Sequence, residues 1–181
     1  MSLPSALVEK GGKSMSNKPP SRIRGNIETF DDPYTERESP PENSVCKCCG
    51  SVHTADRWYL KGQVPYDKAT HATTFETTCP ACRQQSDKVP GGVLTLTGAF
   101  VVSHSEEILN LIRNESAKAQ SGNPLERIMD MQSEGAEMVI TTTNDRLAER
   151  IGRALHKAYR GEIEYQFGED TKLARVNWRR E

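Results

Sequence analysis

Cys46-Lys47-Cys48-Cys49-Gly50 and Cys79-Pro80-Ala81-Cys82 hold all five cysteines of the chain and decide how the rest of it is read. Cys46/Cys49 and Cys79/Cys82 each have the C-x-x-C spacing of a zinc knuckle. Two knuckles on neighbouring hairpins can bring four thiolates around one tetrahedral ion, which is the basis of a zinc ribbon. Gly50 supplies a residue tolerant of positive φ where the chain turns back. The long interval between Cys49 and Cys79 leaves room for a hairpin, with strand-like material at Arg57-Trp58-Tyr59-Leu60 and at Ala72-Thr73-Thr74-Phe75-Glu76-Thr77. The expected ligands are Cys46, Cys49, Cys79 and Cys82, around Zn. Cys48, His53 and His71 are alternative donors, and Cys48 is otherwise an incidental or redox-sensitive thiol.

Two catalytic uses of the cysteines fit poorly. A thioredoxin-like C-x-x-C sits between a strand and a helix of a βαβ unit, and neither pair does. A zinc deaminase carries H-x-E ahead of P-C-x-x-C. Here His104-Ser105-Glu106 follows the cysteines, and Pro80 lies inside the second pair. Four thiolates also close the coordination shell and leave no position for an activated water. No catalytic residue and no bound organic cofactor is expected.

Before the knuckles, residues 1–42 contain Lys18-Pro19-Pro20, Asp31-Asp32-Pro33 and Ser39-Pro40-Pro41 with almost no periodic apolar residues. Such a segment cannot bury enough surface to offset its conformational entropy and reads as a flexible arm. Lys10, Lys13, Lys18, Arg22 and Arg24 come first, then Asp31, Asp32, Glu36, Glu38 and Glu42. The basic half can lie along phosphates or simply keep a tail solvated.

After the knuckles, which complete a ribbon module over residues 43–92, residues 93–181 read as an α+β domain. Val93 to Val102 alternate as a half-buried strand, with Leu94, Leu96, Phe100 and Val102 on one face. Ser103-His104-Ser105-Glu106 has the form of a capping box, and Ile108, Leu109, Leu111 and Ile112 give the following helix an apolar stripe. Asn123-Pro124-Leu125-Glu126 predicts a second, short helix with Leu125, Ile128 and Met129 buried. Met138-Val139-Ile140-Thr141 reads as a strand, and Thr143-Asn144-Asp145 as the start of the longest helix, with Leu147, Ile151, Ala154, Leu155 and Ala158 inward. Ile163, Tyr165 and Phe167, then Ala174, Val176 and Trp178, mark two closing strands. The fold class is therefore α+β: a four-cysteine zinc ribbon followed by a small mixed sheet backed by helices on one side.

No G-x-G-x-x-G or Walker loop occurs, so no nucleotide is expected. No apolar run reaches the roughly 18 residues of a membrane span, and the first residues are too short a run for a signal sequence, which points to a cytoplasmic protein. With 24 basic and 25 acidic residues the formal net charge is −1, so phosphate binding would have to come from local patches.

Asp32-Pro33-Tyr34, Cys46 to Gly50, Arg57-Trp58, Cys79-Pro80-Ala81-Cys82-Arg83, Pro90-Gly91-Gly92, Asn123 to Ile128 and Thr141-Thr142-Thr143 leading into Leu147-Ala148 and Ile151-Gly152 resemble a family of small bacterial zinc-ribbon proteins. More distantly, residues 79–181 are similar to the zinc-binding and α/β regions of the large-ribosomal-subunit nuclear export adaptor family and its archaeal relatives. Those adaptors carry further C-x-x-C pairs and domains, so what the resemblance implies is zinc binding and, at most, a shared surface for ribosomal RNA or the large ribosomal subunit. Arg57, Trp58, Arg83, Arg175, Arg179 and Arg180 are the candidate RNA-binding residues, since cations beside stackable rings suit single-stranded or looped RNA. The alternative is a protein-interaction module with purely structural zinc, in which Trp58 and Trp178 are core residues and the arginines solvated charges.

Overall fold

A three-residue strand has little to gain by itself, and four of them make a sheet here only because knuckles and a turn lock their ends. In a computed structural model that describes residues 39–64, 75–168 and 173–181, the ribbon consists of β1 (Ser44–Cys46), β2 (Val52–Thr54), β3 (Arg57–Tyr59) and β4 (Phe75–Thr77). Their order is β3-β2-β1-β4, with β1 and β4 parallel and the other pairs antiparallel. The turn between β2 and β3 places Ala55 and Asp56 at φ 49° and 56°, the two left-handed residues of a type I′ hairpin. Glu42 secures it, accepting from the Thr54 hydroxyl at 2.9 Å and from the Ala55 N–H at 3.0 Å. These bonds hold the Glu42 carboxyl below its usual range. The rest of the expected arm up to residue 38, with its basic and acidic clusters, lies outside the described residues, as do His71 and the expected strand start at Ala72-Thr73-Thr74.

A helix, α1 (Pro80–Asp87), leads from the second knuckle into a five-stranded sheet. It comprises β5 (Gly92–Thr97), β6 (Ile128–Glu134), β7 (Glu137–Thr142), β8 (Glu162–Phe167) and β9 (Ala174–Arg179), in the order β6-β7-β5-β9-β8. Only β5 and β9 are parallel. Between strands lie α2 (Ala99–Ser103), α3 (Ser105–Gly122) and α4 (Asp145–Tyr159). α4 packs on β5 and β9, and α3 packs on α4. Leu94, Leu96, Met138, Ile140, Val176 and Trp178 from the sheet meet Ile108, Ile112, Leu147, Ile151 and Leu155 from the helices in one core. Gly152 permits the close approach of α4, because a Cβ there would stand 2.7 Å from Val176 Cγ1. Fully burying each leucine, isoleucine, valine or methionine of this core contributes roughly 1.5–3 kcal/mol.

The α+β architecture, the alternation of β5, β7 and β9 and the start of α4 agree with the sequence reading. Asn144 caps α4 by accepting from Leu147 N–H at 3.0 Å. Several local expectations are corrected. The strand expected to run to Val102 stops at Thr97: Gly98 turns at φ 112°, where a Cβ would collide with the Arg180 carbonyl, and Phe100 becomes helical while Val102 is exposed. Ser103 is not a cap of α3; its hydroxyl donates back to the Ala99 and Phe100 carbonyls at 3.2 Å, and His104 precedes the helix without a side-chain cap.

The helix expected from Asn123 is a turn followed by an edge strand. Asn123 Oδ1 accepts from Leu125 N–H at 3.1 Å, a local Asx bond, and the next residues gain a full ladder by pairing with β7. Met129 sits at a bulge in that pairing. Finally, α3 with 18 residues is longer than α4 with 15. Ala158 and Phe167, both expected on apolar faces, are exposed. Among the described residues no helix is long and apolar enough to cross a membrane.

Candidate metal centre

The first knuckle closes because Gly50, at φ 73°, lets its N–H donate to the Cys46 carbonyl at 2.8 Å, while Cys46 N–H donates to the Ser51 carbonyl at 2.8 Å. Cys46 ends β1 and Cys49 stands on the returning turn. The second knuckle uses a helix start: Cys79 is the extended residue before α1, Pro80 occupies the first turn, and Cys82 follows on that turn. Proline is at home there because the first N–H groups of a helix have no partner within it. Parallel pairing of Cys46 with Thr77 sets the two knuckles side by side, and Cys79 N–H donates to Cys46 Sγ at 3.3 Å.

The sulfurs of Cys46, Cys49, Cys79 and Cys82 all lie within 4.8 Å of one another, placed to hold one metal ion. Cys49 Sγ and Cys79 Sγ are 3.8 Å apart. A tetrahedron with Zn–S bonds of about 2.3 Å has edges of about 3.8 Å, so this pair fits zinc without movement. The donors are all soft sulfur, the set that zinc takes in its structural sites.

Crowding four thiols has an electrostatic consequence. Burial raises the Cys49 thiol, but hydrogen bonds from Ser51 and Arg127 outweigh it and bring the group down to about 6. Burial pushes Cys82 up to about 11 and drives Cys79 up as well, and the Cys49 charge adds to both. For Cys46, burial is outweighed by the backbone N–H groups of Cys79, Cys49 and Cys48, and the thiol is lowered. Four like charges in one small space need a cation to coexist.

A cation already leans on the centre from outside. Arg127 Nη2 donates to Cys49 Sγ at 3.1 Å and Nη1 to Cys82 Sγ at 3.4 Å, with Ser51 Oγ at 3.4 Å from Nη2. Arg127 begins no motif and belongs to the turn before β6, so no spacing rule points to it; only the fold carries it to the cysteines.

The alternative ligands fall away where they are described. Cys48 is exposed and outside the sulfur cluster. His53 is buried against Trp58, ring centroids 5.3 Å apart, and is not among the clustered groups. His104 stacks on Phe100 at 3.9 Å, so the H-x-E triplet serves packing.

No protein-family model, curated protein or solved structure matches the chain.

The expected RNA-contacting residues do not form one surface. Trp58 is 6 % exposed and sits in the ribbon core with Cys46, Cys79 and Ala81, which leaves no face for a base to stack on. Arg57 lies 5.9 Å over the Tyr59 ring and donates to the Gly122 carbonyl at 2.7 Å, bridging the ribbon to the end of α3. Arg83 is exposed on α1. Arg175 is the second residue of β9, beside Val93, whereas Arg179 ends that strand and pairs with Glu181 at 2.7 Å. Arg180 turns away, lying 3.8 Å over the Phe100 ring and donating to the Tyr159 carbonyl.

Proposed function

We propose that this is a non-enzymatic zinc protein whose metal is structural and whose task is to bind a macromolecular partner. The observation that carries it is the convergence of four cysteine sulfurs within 4.8 Å. A fully thiolate site saturates a tetrahedral ion and leaves no open position for substrate. The metal would supply folding energy to a ribbon whose strands are three residues each.

The partner in this proposal is ribosomal RNA or the large ribosomal subunit, as the resemblance of the cysteine pairs and the following α/β segment implies. Arg83, one residue beyond Cys82, and Arg175 are its candidate phosphate contacts, both exposed. Sedimentation of tagged protein through sucrose gradients at low and high salt tests it. Co-migration with the large subunit at low salt, lost at high salt, is expected. Protein that remains at the top at low salt under every growth condition overturns the ribosomal reading.

A second reading, a protein partner on the open face of the five-stranded sheet, is favoured by that face's charge. Across it run the rows Asp130, Thr141, Val93, Arg175, Gln166 and Glu134, Glu137, Thr97, Arg179, Glu162. Glu162 beside Arg179, with Glu134 and Glu137 farther along the same row, opposes a phosphate backbone and suits a mixed-charge protein surface.

A further inference from the structure

Arg127 is tied to the sheet by its backbone and to the metal centre by its side chain. Its N–H donates to Thr143 Oγ1 at 2.9 Å, and Thr143 N–H donates to the Arg127 carbonyl at 2.9 Å. The Thr143 hydroxyl donates to the Leu125 carbonyl at 2.6 Å. Nε donates to the Pro124 carbonyl at 2.6 Å, which fixes the plane of the guanidinium and leaves Nη1 and Nη2 to straddle Cys82 and Cys49. Leu125 from the same turn packs on the ribbon core. Thr143 in turn immediately precedes Asn144, the cap of α4.

We propose that Arg127 is the latch that couples metal occupancy of the ribbon to its docking on the five-stranded sheet. This rests on the zinc reading above. A dication held by four thiolates retains surplus negative charge, and a guanidinium fork that donates to Cys49 and Cys82, with Cys79 Sγ 3.9 Å from Nη2, neutralises part of it. Thermodynamic reciprocity gives the latch two faces. Whatever the docked Arg127 adds to metal affinity, the bound metal adds to docking. Metal release would then loosen the turn at Asn123 to Arg127 and, through Thr143, the junction of β7 with α4.

The test compares wild-type protein with R127Q, R127K and R57Q. Metal content is measured first, then metal transfer to a competing chromogenic chelator, and backbone amide exchange of residues 125–144 before and after chelation. R127Q is expected to hold its metal about 10- to 100-fold more weakly, the usual effect of removing an outer partner of a metal ligand. R127K should fall between, since it keeps the charge without the fork. R57Q should match wild type in chelator transfer, because Arg57 joins ribbon to α3 without touching a sulfur. Stripping wild-type protein should speed exchange at Arg127 and Thr143.

Metal-free wild-type protein would overturn the zinc reading itself. Metal-loaded wild type with unchanged transfer in R127Q overturns the latch alone. If R127Q does not accumulate as folded protein, R127K decides, and wild-type transfer in R127K sinks the proposal. Equal weakening by R57Q and R127Q also sinks it, by showing that any loosening of the ribbon suffices.

Discussion

Arg127 Nη2 donates to Cys49 Sγ at 3.1 Å across 78 positions of sequence. Through that contact the ribbon and the α+β domain share one charged centre, and the knuckles are held on the edge of the larger sheet. The Arg57 bond to the Gly122 carbonyl and the packing of Leu125 complete the join.

Cys79 has no exposed surface and shares its sulfur neighbourhood with three other thiols. C79S should abolish stoichiometric metal, removing a contribution on the order of 10 kcal/mol or more to ribbon folding. Inductively coupled plasma mass spectrometry of protein purified without chelator should give one zinc per wild-type chain and almost none for the variant. A fully loaded C79S protein would refute the ligand set.

Cys48 stands outside the cluster, so C48S should keep the wild-type metal content and melting temperature. Loss of metal in C48S would make it a ligand.

Trp178 is fully buried, and its Nε1 donates to the Arg160 carbonyl at 2.7 Å. W178F removes that bond and leaves a void beside Gly161, which the indole ring closely approaches. The expected cost is about 2–4 kcal/mol, from an unpaired carbonyl and lost packing. A urea titration should show a lower midpoint with unchanged metal content; a midpoint equal to wild type would contradict the packing described.

N144A deletes the cap of α4 and should cost about 1 kcal/mol, whereas N144D should be close to neutral. Thermal unfolding monitored by the helical circular dichroism signal distinguishes them, and equal melting points for all three proteins would argue against the cap.

Hydrogen bonds from Lys118 and Arg150 hold the Glu115 carboxyl below its ordinary 4.5, and the Arg150 contact at 3.0 Å ties α3 to α4. A depressed carboxyl stabilises the fold above the unfolded value and loses that contribution as pH falls through the lower native value. Both cations are largely exposed, so the contribution at neutral pH is about 0–1 kcal/mol. E115Q should therefore be slightly less stable than wild type at neutral pH and approach it below pH 4.5. A gap that widens on acidification would contradict a depressed Glu115 carboxyl.

What the sequence determined by itself was chemistry of short range. The C-x-x-C spacings name Cys46, Cys49, Cys79 and Cys82 because a knuckle needs its two thiols three residues apart. The alternation of Leu94 with Leu96 and of Ala174, Val176 and Trp178 names their strands because a pleat repeats every second residue. Asn144 announces α4 because a cap lies next to what it caps.

Only the tertiary structure decided the segments where two local signals compete. Asn123-Pro124-Leu125-Glu126 has the form of a helix start, yet pairing with β7 supplies β6 with a ladder that a short helix could not match. Ser103 resembles a cap until Gly98 ends the strand early and makes Ser103 part of α2. Tertiary packing also turned Trp58 from a stacking ring into ribbon core and separated Arg175 from Arg180. Arg127 shows the same limit, since a contact between distant residues leaves no periodicity or spacing by which one chain can announce it.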